Sequence, residues 1–167
     1  MSKPVEVEAG TLARHPLPPI GSGDKDERGS ILIIAGSREV AGAALLTALG
    51  AMRAGAGRLQ IATVTSAAPG LAISMPEAMV TGMAEGRDGG FAPSTVKLLA
   101  ERAGKADVVV AGPGMRGNGS TPKLAATLAG TCHKLVLDAA LLHALPERRA
   151  EVARKEVPAV LLPHAGE

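Results

Sequence analysis

Residues 30–57, SILIIAGSREVAGAALLTALGAMRAGAG, constrain this chain more than any other stretch. The run at 31–35 has no polar alternation, so a strand formed from it must be covered on both faces. Such strands belong to parallel sheets flanked by helices. The run breaks at Gly36 into a short polar loop and re-enters as an almost wholly apolar helix predicted over about 42–54. The loop then sits at the carboxyl end of a central strand and the amino end of a helix. Open α/β sheets bind ligands there, because helix-terminal N–H groups and loop backbone converge on the crevice.

The same alternation continues along the chain. Further strands are predicted at 58–64, 107–111, 134–137 (ending on Asp138) and 157–162, and helices at 65–72, 93–103, 121–129 and 139–145. Ser66 is a candidate cap for the first of these helices, and Val96, Leu99, Ala100 and Ala103 give the second a buried face, with Gly104 as its stop. Residues 75–82 read as a connector of no assigned form and 85–90, EGRDGG, as a surface turn. Residues 1–29 carry Pro4, Pro16, Pro18 and Pro19 and then GSGDKDERG, which reads as an N-terminal arm and polar loop ahead of one domain over 30–167. The fold class is α/β, a mainly parallel sheet flanked by helices with right-handed crossovers.

Composition excludes several functions. With one Phe, Phe91, and no Trp or Tyr, the core must be aliphatic, and the chain lacks the aromatic platforms of single-strand nucleic-acid binding. Its 18 basic and 16 acidic residues are dispersed and nearly balanced, so neither nucleic acid nor a membrane surface is an expected partner. The lone Cys132 cannot form an internal disulfide, which fits a reducing cytoplasm. The start, MSKPVEVEAG, carries acids and no apolar run, unlike a secretory signal, and no stretch approaches the length of a spanning helix.

The Gly36 loop, the Gly112 loop, Asp138 and His164 each directly follow a predicted buried strand, so a parallel sheet puts all of them on one carboxyl edge. Gly112, Gly114 and Gly117 in GPGMRG fit G-x-G-x-x-G, and Asp138 follows at roughly the distance of a ribose-binding acid. A Rossmann site is nevertheless weakly supported: the loop GNGST separates the glycines from their helix, and Pro113 removes a backbone donor. Close passage of backbone past a ligand, or plain turn chemistry, explains the glycines as well. Asp138 reads equally as a helix N-cap, and His164 as an exposed loop histidine. Glu77 in MPEAM is an acid in a non-random setting whose ordinary reading is solvation; His15, His133 and His143 have nothing beside them to suggest chemistry.

Taken together, LIIAGS, AGAALLTALGAMRAGAGRLQIAT, PEAMV, VVVAGPGMRG, LVLDA and LPHAGE resemble the ADP- or ATP-dependent NAD(P)H-hydrate dehydratases of the ribokinase-like, carbohydrate-kinase-like fold, over about residues 25–167. The resemblance implies a metabolite-repair lyase. A nucleotide phosphoryl group activates the hydroxyl of hydrated NADH or NADPH, and elimination restores the reduced cofactor. Implied ligands are NAD(P)HX with ADP or ATP and Mg²⁺, and implied assembly is a homo-oligomer in the full-length form. Carried over by position, Gly42, Ala43, Gly114 and His164 would bind the hydrate, and Asp138 would lie near the phosphate and metal region, with no metal ligand assigned.

The chain departs from the family in carrying Ala139-Ala140 after Asp138 and Leu162 where Thr commonly precedes Pro-His. Family members continue past the Pro-His-x-Gly-Glu segment to a Lys-Gly element and a Gly-x-Gly-Asp anion hole bearing the proposed base. Here the sequence ends at Glu167, so the expectation is an N-terminal portion, with the C-terminal part of the fold missing and little activity alone. Two alternatives stand beside the dehydratase: a vitamin or sugar kinase of the same fold, and a non-catalytic binding or assembly module left with an uncovered sheet edge.

Overall fold

The computed structural model describes residues 6–14, 16, 28–145 and 157–163. Six strands form one sheet in the order β3-β2-β1-β4-β5-β6, where β1 is Ser30–Ile34, β2 Arg58–Val64, β3 Met79–Met83, β4 Val108–Ala111, β5 Lys134–Asp138 and β6 Val160–Leu162. All five pairings are parallel. The unbroken apolar run therefore lies at the centre of the sheet: Leu32, Ile33 and Ile34 are at most 1% exposed.

Helices α2 (Ala41–Arg53) and α3 (Ala68–Ser74) touch each other beside β1–β3, while α4 (Val96–Ala103), α5 (Thr121–Thr131) and α6 (Ala140–His143) form a second contiguous group. A separate one-turn helix, α1, spans Ala9–Ala13. Small residues decide how closely α2 approaches the sheet. Its buried positions are Ala44 and Ala48, both fully enclosed, so the helix backbone rests near β1 and β2. The other layer uses larger side chains: Val96 and Leu99 on α4, and Leu124 and Leu128 on α5, with Leu141 on α6. Burial of each such side chain contributes about 1.5–3 kcal/mol against exposure.

Four local readings are corrected. Residues 75–82 are not a formless connector: Met79–Met83 is strand β3, which pairs with β2 alone and is half open on its outer side, so its sequence lacks the continuous apolar run of a central strand. Ser66 does not cap α3, whose N-cap is Ala67 without a side-chain bond; the Ser66 N–H donates to Glu85 Oε2 instead (3.2 Å). Asp138 is not the N-cap of α6 either, since that place belongs to Ala139. The segment 93–103 divides into a 3-10 turn at Pro93–Thr95 and α4. At the other border of the sheet, Val160, Leu161 and Leu162 of β6 are 53%, 42% and 49% exposed.

Candidate functional site at the switch point of the sheet

The strand order reverses between β1 and β4: the chain leaves β1 toward β2 on one side, and leaves β4 toward β5 on the other. Loops following such neighbouring strands diverge and leave a crevice. Here the loops are 35–40 and 112–120. They stay in contact at their roots, where Gly36 N–H donates to the Pro113 carbonyl (2.8 Å) and Gly112 N–H to the Ile34 carbonyl (3.0 Å). Register holds the strand ends level, with Ile34 beside Ala111, Ala111 beside Leu137 and Asp138 beside Leu162.

Two glycines in the second loop are required by space as well as by torsion. Gly112 has φ +122°, and a Cβ there would lie 2.6 Å from the Asp138 carbonyl carbon and 3.0 Å from its amide nitrogen. Gly114 has φ +64°, and a Cβ there would lie 2.6 Å from Ala43 Cβ and 2.7 Å from the Val40 carbonyl oxygen. Gly112 thus lets β4 run against the end of β5, and Gly114 lets the loop close onto the first turn of α2. Beyond Asp138 the backbone is strained, because Ala139 takes φ 46°, ψ −122°, a region L residues rarely occupy.

Of the positions singled out in the sequence, Gly114 and Ala43 are brought into contact, and Gly42 is exposed beside them with open space where a side chain would be. Asp138 lies across the Gly112 loop, partly buried. Gly117 comes near Ala140 and Thr121. His164 lies outside the described residues. Glu77 is exposed in the turn before β3 and stands apart from this edge. The start of α2 has neither a side-chain cap nor an acidic residue in its first turn, so no carboxylate offsets its positive dipole end, and within that turn Ala43 N–H donates to the Val40 carbonyl (3.4 Å). Among the described residues no three His, Cys, Asp or Glu side chains gather where they could hold a metal ion.

The segment 85–91, which includes the expected surface turn at 85–90, lies as a polar strap against this edge, with contacts that the sequence did not indicate. Arg38 N–H donates to the Gly89 carbonyl (2.9 Å), and its guanidinium pairs with Glu85. The Ser66 hydroxyl, working against the cost of burial, and then the Ser66 N–H and the Arg38 guanidinium hold the Glu85 carboxyl below the ordinary carboxylate range. On the other side Asn118 Nδ2 donates to the Phe91 carbonyl (3.0 Å), while Asn118 Oδ1 accepts from Ser120 N–H (3.0 Å) and Oγ (2.7 Å). The Asn-Gly-Ser-Thr run before α5 carried a signal for that turn chemistry; nothing in the sequence linked Glu85 to Arg38.

A six-stranded parallel sheet whose order reverses between β1 and β4 places the chain among the open α/β folds. Solved structures give the same class. A ribokinase-like superfamily protein from Enterococcus faecalis superposes with a TM-score of 0.68 at 21% identity, over 88% of this chain and 49% of its own, which shows the fold. An ADP/ATP-dependent NAD(P)H-hydrate dehydratase from Bacillus subtilis, co-crystallised with ATP/Mg²⁺, gives a TM-score of 0.64 at 28% identity over 90% of this chain and 50% of its own.

The family profile described as NAD(P)H-hydrate dehydratase matches residues 31–167, and the chain belongs to that family. An ADP-dependent (S)-NAD(P)H-hydrate dehydratase of Xanthomonas campestris is 45% identical over 163 residues, 96% of this chain and 54% of the relative. The chain therefore spans about half the length of the dehydratases of Xanthomonas campestris and Bacillus subtilis that it matches, and less of the bifunctional repair enzymes.

Proposed function

We propose that this protein acts in the repair of hydrated NADH and NADPH, and that the described crevice holds the hydrate. The supporting observation is the junction of Gly114 with the first turn of α2, which brings Gly42, Ala43 and Gly114 to one point of the carboxyl edge. Exposed backbone at Gly42 and an amino end of α2 with no side-chain cap and no acid in its first turn suit a bulky, anionic ligand lying across the helix terminus. Gly114, with no side chain, lets its loop close onto Val40 and Ala43, so backbone of both segments comes to this point.

An adenine nucleotide, ADP or ATP, supplies the phosphoryl group that turns the ring hydroxyl into a leaving group. In this reading Asp138 stands toward the phosphate region, and His164, outside the described residues, is the further candidate for contact with the hydrate. No step is assigned to Mg²⁺ on residues of this chain.

The test is equilibrium binding of NADHX to the protein without nucleotide, followed by addition of ADP or ATP while the absorbance of reduced nicotinamide is recorded, with the Xanthomonas campestris relative as the positive control. Saturable binding that weakens in Gly114→Val supports the reading. Failure to bind the hydrate, together with phosphorylation of a hydroxylated vitamin or sugar, would overturn it in favour of a kinase.

A further inference from the structure

Arg38 and Glu85 form an ion pair unlike the other one on this rim. Arg116 and Glu39 meet at 3.2 Å with side chains 51% and 72% exposed, so both charges stay in water and the pair contributes little. In the Arg38–Glu85 pair the acid is 11% exposed and the base 53%. The carboxylate faces inward and the guanidinium faces out.

Arg38 is held at its backbone, along its stem and at one guanidinium nitrogen, and its side chain is otherwise half exposed. Its N–H is bonded to Gly89, and its stem lies on Gly89, where an added Cβ would come 3.1 Å from Arg38 Cβ. Glu85 is in turn fixed by the Ser66 N–H (3.2 Å). Its lowered carboxyl keeps the pair charged at neutral pH. A guanidinium carries five N–H donors in a planar fork, and one carboxylate occupies one side of it. An arginine ordered before its ligand arrives loses little side-chain entropy on binding, which is what planar recognition of phosphate needs.

We propose that Arg38 is a substrate-binding residue that takes a phosphate oxygen of the dinucleotide, with Glu85 as the positioning residue behind it. This rests on the hydrate reading above. A dinucleotide always presents a pyrophosphate, and only the NADPH form adds a 2′-phosphate; the chemistry is shared.

The experiment is equilibrium binding of NADHX and NADPHX, without nucleotide, to wild type, Arg38→Gln, Arg38→Lys, Glu85→Gln and the Arg38→Gln/Glu85→Gln double variant. Loss of a charge-assisted bond raises Kd by about ten- to a hundred-fold in Arg38→Gln. Arg38→Lys recovers part of this, because charge remains and the fork does not. A rise for both hydrates assigns Arg38 to the pyrophosphate, and a rise for NADPHX alone assigns it to the 2′-phosphate; either upholds the proposal.

Glu85→Gln should weaken binding in the wild-type background and have no effect once Arg38 is Gln, whereas additive effects would remove Glu85 from the proposal. Unchanged Kd for both hydrates in Arg38→Gln overturns the role of Arg38 while leaving the crevice reading intact. A wild-type protein that binds neither hydrate overturns the crevice reading, and this inference with it. Should the variants fail to fold, competition on the wild type decides: inorganic pyrophosphate must displace NADHX or NADPHX at matched ionic strength, and failure to displace either one refutes the proposal.

Discussion

Gly112→Ala is the substitution whose cost can be worked most directly from the structure. Two independent penalties apply. At φ +122° an L residue is in a region used almost only by glycine, which costs about 1–3 kcal/mol. The new Cβ would also press on the Asp138 peptide, 2.6 Å from its carbonyl carbon. Backbone at the end of a paired strand cannot swing aside as a flexible side chain does, and overpacking of this kind costs about 1–3 kcal/mol more. The sum, about 2–6 kcal/mol, is a large share of the stability of an ordinary domain. For a chain of this size it corresponds to a fall in Tm on the order of 10 °C.

The assay is thermal unfolding followed by far-ultraviolet circular dichroism, since the chain has no Trp or Tyr to report by fluorescence. Gly50→Ala is the matched control. It stands in α2 with nothing within 4 Å of an added Cβ, so it should stabilise the protein by about 0.5–1 kcal/mol. A Gly112→Ala protein that melts within about one degree of wild type would refute the claim that the two strand ends meet at this glycine.

Further substitutions probe other parts of the account. Thr63 is fully buried and its hydroxyl has no partner among the described residues, so Thr63→Val should raise stability by about 1 kcal/mol in urea unfolding. Asn118→Ala removes the acceptor for Ser120 and the donor to Phe91, and should lower stability by about 1–3 kcal/mol in the same assay. Glu85 and Asp107 both have depressed carboxyl groups, Asp107 through the N–H and hydroxyl of Ser30. A group depressed in the folded state stabilises it above its unfolded value and ceases to do so as pH falls through its folded value. The Tm difference between wild type and Glu85→Gln should therefore be largest at neutral pH and shrink on acidification below the ordinary carboxylate range; a difference independent of pH would contradict the pairing.

Central strands and amphipathic helices were legible because burial leaves a periodic trace. Leu32–Ile34 had to be covered on both faces, and Val96, Leu99 and Ala103 had to share one. Strand β3 was not legible, since Met79 is 52% exposed and an edge strand needs no continuous apolar run. Gathering Gly36, Gly112 and Asp138 on one edge followed from parallel topology alone. The use of Gly114 did not, because whether a missing side chain makes room for a ligand or for Val40 and Ala43 depends on the path of another loop. Ser66 looked like a cap by type and became a donor to Glu85, a partner that only the return of the chain after β3 brings near. Contacts of that kind, between charged and polar residues of separate loops, leave no period in the sequence to read.

Hydrogen exchange with and without NADHX measures most directly whether the switch-point crevice is the binding site. The account predicts slower exchange over residues 36–43 and 112–118, and no change at the opposite edge of the sheet around Arg28–Ile31 and Ala54–Ala56, where a separate groove lies. Slowing confined to that opposite groove, or absent from both loops at saturating hydrate, would contradict it.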